Sequence, residues 1–312
     1  MSDVVFTSRQ RGPSRLSRLL VGVHGPHARP VTEFHGPWGS LAVSESPYSG
    51  FDPVESDDHV FVVLAAPVLT YRSNAFLGGS DRTTGSRALY SRWRAGDLDW
   101  GRDLSGPFLA LIVDKHQGFV HLVTDLMMFV PAYTAGEGDD LVIGSHVDVV
   151  AEAAAQRTVD VASLADFVLH GVVTHPFTMY TGVEQCRPAT VHEYSPTDRR
   201  TSTRSYWVPQ EQHRFTHIEE AAAAVRHGLV EHVRAVTSGL DTVAEFISGG
   251  EDSRAIAGVL PSRLRRDGYV FLDRLNREAS VAYKVAAAYG TSLHVGLRDP
   301  DYYLDIMPTA TR

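Results

Sequence analysis

Phe246-Ile247-Ser248-Gly249-Gly250-Glu251-Asp252-Ser253-Arg254 follows a β-prone stretch, 242–247, and precedes a helix-prone stretch, 254–260, that Pro261 stops. A strand, a turn of small residues and a helix N-terminus together make an anion site. The first N–H groups of a helix have no partner within it, and the helix dipole favours negative charge there. Gly249 and Gly250 let the backbone bend tightly and approach a ligand. Ser248 and Ser253 add hydroxyl donors. Asp252 would repel a phosphate unless it holds Mg²⁺, which bridges carboxylate and phosphate oxygens. The lysine and the longer spacing of the Walker loop are missing.

Composition sets the frame. The chain has 312 residues, enough for two cores, with 43% hydrophobic and 21% charged residues, as in globular proteins. A formal net charge of −8 argues against a general nucleic-acid or membrane-surface binder. The longest apolar run, 61–69, is too short to span a bilayer and contains Pro67. No signal peptide is legible, and the single cysteine, Cys186, rules out an intramolecular disulfide, so the cytoplasm is the expected location. His24, His27 and His35 lie among Gly and Pro without a Cys or carboxylate set, and read as loop histidines rather than zinc ligands.

Along the chain, 19–23, 40–43, 59–66, 107–113 and 118–124 read as strands, and 86–94, 146–155 and 161–170 as helices. Near-continuous apolarity at 109–113 predicts a strand buried on both faces. Residues 195–198 read as a hairpin tip between strands 190–194 and 201–207. A polar stretch, 210–214, is the linker. Beyond it, Thr216 and Glu219 form a capping-box pattern before Ile218, Ala222, Val225, Leu229, Val233 and Val236 at helical spacing, ended by Gly239. Strands at 242–247, 269–272 and 291–296 alternate with helices, the last one running from a cap at Asn276 to Gly290. That alternation predicts a parallel sheet with its ligand at the strand C-termini.

Ser-Gly-Gly-x-Asp-Ser resembles the pyrophosphate loop of ATP pyrophosphatases. Further landmarks follow in order: Ser105-Gly106-Pro107-Phe108-Leu109-Ala110; Asp125, Pro131 and Tyr133, with Met128 where a glycine is usual and Ala132 where leucine is; Gly144-Ser145; Tyr180-Thr181-Gly182-Val183; Arg187-Pro188; and Tyr206-Trp207. In that order they resemble the asparagine synthase family, from about residue 61 to about 305. The resemblance implies an N-terminal glutamine amidotransferase-like domain, 1–209, with an Ntn-hydrolase-like αββα sandwich. It implies a C-terminal parallel α/β domain, 210–312, of the adenine-nucleotide α-hydrolase-like (PP-loop) type, and an α/β and α+β chain overall. The activity implied is ATP- and Mg²⁺-dependent, AMP-forming amide ligation, in which a small-molecule or peptide carboxylate is activated as acyl-AMP and attacked by ammonia or an amine. No nucleic acid or membrane partner is implied, and a homodimer is compatible with it.

The resemblance also assigns residues. Ser248, Gly249, Gly250, Asp252 and Ser253 hold pyrophosphate, with Asp252 the Mg²⁺ ligand. Phe246 and Ile247 contact adenosine or pack the core. Phe271 and Leu272 end the strand whose backbone meets adenine. Glu278 matches an acid at the start of the next helix, or simply favours the helix dipole. Arg254 supports phosphate charge or points to solvent. Cys186 reads as structural and Trp207 as core. Two departures stand out. The family's nucleophilic cysteine after Met1 is replaced by Ser2, which reads as an ordinary terminal residue rather than an N-terminal serine nucleophile freed by Met1 removal, and Ala65-Ala66-Pro67 stands where Asn-Gly-Glu holds glutamine. Glutaminase activity is therefore expected to be lost, as in the β-lactam synthetase and lasso-peptide cyclase branches. The domain is also short, ending before the family's second acidic Mg²⁺ loop. The alternative is a non-catalytic nucleotide-binding remnant or scaffold.

Overall fold

The computed structural model describes residues 2–25, 29–45, 51–65, 67–69, 82–195, 200–211 and 214–310. The chain divides into two compact units, Met1–Pro209 and Gln210–Arg312.

The first unit contains β1 (Val4–Thr7), α1 (Arg15–His24), β2 (Val31–Gly36), β3 (Gly39–Ser44), β4 (Val54–Glu55), β5 (His59–Leu64), β6 (Val68–Leu69), α2 (Arg82–Arg94), β7 (Leu104–Ser105), β8 (Leu109–Asp114) and β9 (Val120–Thr124). It continues through β10 (Tyr133–Ala135), β11 (Val142–Gly144), α3 (Val147–Ala153), α4 (Val161–His170), β12 (Val183–Gln185), β13 (Thr190–Ser195) and β14 (Arg200–Ser205). Two six-stranded sheets result, ordered β12-β10-β11-β1-β3-β2 and β14-β13-β9-β8-β5-β4, with antiparallel pairing throughout.

Period-two side-chain alternation explains the layering. Val4 and Phe6, Val60, Val62 and Leu64, and Leu109, Leu111 and Val113 point between the sheets into one core. Their neighbours point outward. Val5 and Ala42 meet Leu16 and Leu20 of α1 and Val149 and Val150 of α3. Phe61, Val63, Ala110 and Ile112 meet Leu89 and Tyr90 of α2. The order is helix, sheet, sheet, helix, so β8 is apolar on both faces because both faces are covered. β14 is exposed throughout and closes one edge with Arg, Thr and Ser rather than apolar residues.

Asp125 fixes the corner between β9 and the strands beside it. Its buried carboxylate accepts four backbone N–H bonds, from Met127 (2.9 Å), Phe129 (3.1 Å), Val130 (3.1 Å) and Phe108 (3.2 Å). Its main-chain oxygen accepts from Ala189 N (2.9 Å). This loop forces Met128 to φ 53°, in the left-handed region, at the position where the resembling family carries glycine. That conformation costs a non-glycine residue roughly 1–2 kcal/mol. Met128 offsets part of that cost by packing on the inter-sheet core.

The second unit contains α5 (Ile218–Val236), β15 (Thr242–Phe246), α6 (Glu251–Val259), β16 (Arg265–Leu272), α7 (Arg277–Tyr289), β17 (Ser292–Leu297) and α8 (Tyr302–Ala310). β15, β16 and β17 form a parallel sheet in that order. Ile247, Val270 and Leu272 pack on Ala257 of α6 and Ala279, Ala282 and Ala286 of α7. Small helix residues let the helices lie close to the sheet. Buried Arg266 donates to Ala257 O (2.9 Å) and Leu260 O (2.7 Å), satisfying carbonyls at the C-terminal end of α6. Asn276 caps α7 by accepting from Ala279 N (3.2 Å), and Gly290 ends it at φ 68°.

Several sequence expectations change. Residues 19–23 are helical, within α1, because Leu16, Leu19, Leu20 and Val23 share one face against the first sheet. α5 has His217 at its N-cap and no side-chain cap, so the Thr216–Glu219 capping box does not form. α6 starts at Glu251, three residues earlier than predicted, and β16 starts at Arg265. Trp207 is exposed rather than core. Of the predicted hairpin tip, Ser195 ends β13, and 196–198 lie outside the described residues.

Replacing Asp125 by Ala would leave four backbone N–H groups without their acceptor in a dry corner. The expected loss is about 3 kcal/mol or more, read as a lower urea midpoint in equilibrium unfolding. An Asp125→Ala midpoint equal to wild type would show that the corner holds without the carboxylate.

Candidate functional sites

In the second unit, the 248–253 loop sits at the C-terminal end of β15, on the way into α6. Its bonding is largely internal. Ser248 N donates to Ser253 Oγ (3.1 Å), the two hydroxyls are 3.0 Å apart, and Gly250 N donates to Ser248 Oγ (3.1 Å). Gly249 N donates to Glu278 Oε1 at 3.4 Å, a long and weak contact. No side chain caps α6, so the N–H groups of its first turn stay open.

The two glycines are favoured by close approach rather than by a bend. Gly250 has φ −75°, and Gly249 is not in the left-handed region either. A Cβ at Gly249 would stand 3.3 Å from Glu278 Cγ, and one at Gly250 would stand 3.1 Å from Ser248 Oγ. Gly249, Gly250, Arg254, Arg277, Glu278 and Val281 border an open cleft of about 410 Å³. Arg254 Nε donates to Gly250 O (3.1 Å), which holds the guanidinium beside the loop instead of leaving it free in solvent.

The remaining predicted residues separate by strand parity. Ile247 and Leu272 are buried in the core, so neither side chain is available to a ligand. Leu272 O is also engaged, accepting from Arg298 N (2.9 Å). Phe246 and Phe271 are exposed on the opposite sheet face, with ring centroids 6.2 Å apart. Asp252 is exposed in the first turn of α6. Among the described residues no three His, Cys, Asp or Glu side chains converge to hold a metal ion by themselves. A lone exposed carboxylate beside a helix N-terminus still fits Mg²⁺, which keeps several waters and takes its other ligands from phosphate.

In the first unit, Ser2 is buried, not frayed. Its neighbour holds it there. Asp3 N donates to Ser44 Oγ (2.8 Å), Asp3 Oδ1 accepts from Ser145 Oγ (2.7 Å), and Asp3 Oδ2 lies 2.9 Å from His24 Nε2. Ser2, Thr32, Phe34, Ser44, Asp52 and Leu64 border a cavity of about 390 Å³. Sequence reasoning missed this placement, although the run Val4-Val5-Phe6 carries a strand signal. Ser2 Oγ has no hydrogen-bond partner among the described residues. Residue 65, first of the Ala-Ala-Pro stretch, adopts φ 62°, and its methyl group offers a substrate nothing to hydrogen-bond.

A larger cavity of about 630 Å³ lies in the same unit, bordered by Cys186, His175, His192, Tyr194, Thr134 and Arg187 among others. It does not supply a substitute nucleophile. Burial pushes the Cys186 thiol up to about 12 and lowers the pKa of His192, so both stay neutral near pH 7. His175 Nε2 lies 3.0 Å from Cys186 O, not from the sulfur.

Comparison with known proteins assigns the first unit. Residues 69–207, less than half of the chain, match the glutamine amidotransferase domain family. This unit therefore contains a glutamine amidotransferase-type domain, and Ser2 lies outside the matched segment. Two solved structures are similar at low level. One is an allosteric regulatory enzyme of purine biosynthesis, at 8% identity and TM-score 0.40, covering 95% of this chain and 80% of that one. The other is a glutamine phosphoribosylpyrophosphate amidotransferase from B. subtilis complexed with ADP and GMP, at 10% identity and TM-score 0.38, covering 97% and 67%. At these values neither adds to the assignment. No protein of curated function matches the chain. Among the described residues no helix is long and apolar enough to cross a membrane.

With its thiol at about 12, Cys186 holds about one thiolate in ten thousand molecules at pH 8. Native protein should leave a chromogenic disulfide reagent unreacted at that pH over an hour, and denatured protein should release one equivalent. Fast release from native protein would show an accessible, activated thiol.

Proposed function

We propose that the chain is an ATP-dependent, AMP-forming amide ligase of the asparagine synthase type, whose amidotransferase-like unit has an Ntn-hydrolase-like fold but no longer hydrolyses glutamine. The observation that carries this reading is the loop 248–253, set at the C-terminal edge of a parallel sheet and opening onto a cleft with Arg254 and Arg277. In the reaction, a carboxylate oxygen of the acyl substrate attacks the α-phosphorus of ATP. The α–β bridging bond breaks and pyrophosphate leaves. An amine then attacks the acyl carbon, and AMP departs.

The chain's own groups suit the first step. The open N–H groups of α6, with Ser248 and Ser253, would receive pyrophosphate oxygens, and Arg254 and Arg277 would balance the charge. Mg²⁺, when bound through Asp252, would supply further neutralisation of the phosphates. Phe246 and Phe271 offer exposed aromatic faces at the ends of β15 and β16, against which adenine can stack. The amine would come from the substrate itself, because the first unit lacks an activated nucleophile. A cytoplasmic location supplies ATP.

Calorimetry should show Mg·ATP binding that weakens about tenfold or more in Asp252→Ala. Equal titrations for the two proteins would remove Asp252 from the site. With a cognate acid and amine, product analysis should give AMP and pyrophosphate in equal amounts. ADP and phosphate as products would exclude the adenylating route, and binding without either would favour a nucleotide-binding scaffold.

Glutamine supplied alone should yield no glutamate above a buffer control. Release that vanishes in Ser2→Ala would make Ser2 a working nucleophile and overturn the inactive assignment.

A further inference from the structure

We infer that a cavity on the first unit, bordered by Arg9, Arg11 and Arg15, binds a small phosphate-type oxyanion. The cavity holds about 330 Å³ and lies between the loop that follows β1 and the C-terminal end of α3. The segment 9–18 carries four arginines in a chain of net charge −8. Arginine is the side chain best matched to phosphate, since its planar fork donates two parallel bonds.

Charge accounting around the cavity leaves two cations over. Two carboxylates border it, and both are taken: Asp140 pairs with Arg9, and Glu152 pairs with Arg157. The Arg11 and Arg15 guanidiniums have no hydrogen-bond or ion-pair partner among the described residues. They do not cap α3 either. Its terminal carbonyls are already bonded along the chain, with Gln156 N donating to Ala151 O (2.8 Å) and Ala155 N to Glu152 O (3.2 Å). Two unpaired guanidiniums match one dianion.

The placement also runs against local preference. Arg15 opens α1, where the helix dipole disfavours a cation, and the first turn of α1 contains no acid of its own. Such departures are expected at functional sites, and the carboxylate that does reach this helix start, Glu33, is engaged by Ser14 N, Ser17 N and Ser17 Oγ. Burial lowers the Arg11 pKa, the neighbouring Arg15 and Arg9 charges lower it further, and Asp140 offsets this in part. A bound anion would relieve that repulsion. The loop is also held in place before any ligand arrives. Arg11 N donates to Ser40 Oγ (2.8 Å), and Ser8 N donates to Leu141 O (3.0 Å). Such anchoring lowers the ordering cost of binding.

The test uses the full chain and inorganic phosphate, with sodium chloride at matched ionic strength as control. Phenylglyoxal modifies arginines, and peptide mass spectrometry locates each adduct. Phosphate should slow modification of Arg11 and Arg15 about tenfold, and that of Arg9, which borders the same cavity, to a smaller extent. Arg18, whose Nε is engaged by Ser14 O, should be unaffected. In Arg11→Ala/Arg15→Ala, phosphate should no longer protect Arg9. Protection confined to Arg254 and Arg277 would place phosphate only in the second unit's cleft and overturn the inference. Equal protection by chloride would overturn it too, as would continued protection of Arg9 in the double variant.

Discussion

One carboxylate sets the corner on which the first unit depends. Asp125, just after β9, collects four backbone N–H groups on its carboxylate, three from the 125–131 loop and one from the residue before β8, and its own carbonyl accepts from Ala189 and Met128. Around it, Thr124 Oγ1 donates to Arg187 O (2.6 Å) and Tyr206 OH donates to Thr124 O (2.6 Å). Chain segments far apart in sequence thus meet through polar groups that have no water to turn to. Buried main-chain donors must find acceptors, and here a single side chain supplies most of them. Met128 in a left-handed conformation is the local strain that this geometry imposes.

The two units divide the chemistry unevenly. The first contains a glutamine amidotransferase-type domain; in it Ser2 is buried beside a cavity, and the buried Cys186 thiol is held protonated near pH 7. The second has a loop, 248–253, that leads from β15 into α6 and leaves the N–H groups of the helix's first turn open. Glycine suits the loop because Glu278 and Ser248 lie close to the backbone, at 3.3 and 3.1 Å from where a Cβ would stand.

Much of this was legible in the sequence, and the failures have identifiable causes. The strands of the inter-sheet core announced themselves through β-branched, alternating or continuous apolar runs, because burial on one or both faces dictates those patterns. Asn276 and Gly290 predicted the limits of α7, since caps act locally. α1 was misread because the window 19–23 omits Leu16, without which the helical spacing of Leu16, Leu20 and Val23 is invisible. The N-terminal cap of α1 was also out of reach. It comes from Glu33 in β2, whose carboxylate accepts from Ser14 N (2.8 Å), Ser17 N (2.7 Å) and Ser17 Oγ (2.6 Å). At the loop 248–253, residue types placed a strand-to-helix turn where one stands. Strand parity then decided which neighbours face solvent, Phe246 and Phe271, and which face the core, Ile247 and Leu272. β-Register inside a short parallel sheet was not readable from composition.

For the anion proposed at the 248–253 loop, Glu278 would be a resident competitor. Its carboxylate is anchored to α7 by the chain, so at Gly249 N–H it acts with an effective concentration that dilute anions in solution cannot reach. A weakly held monoanion would therefore be screened out. Only a ligand that engages several donors at once gains enough to displace the tethered group. The 3.4 Å separation makes the tethered contact a weak one to displace, so the proposed ligand would be selected by valency as well as by charge.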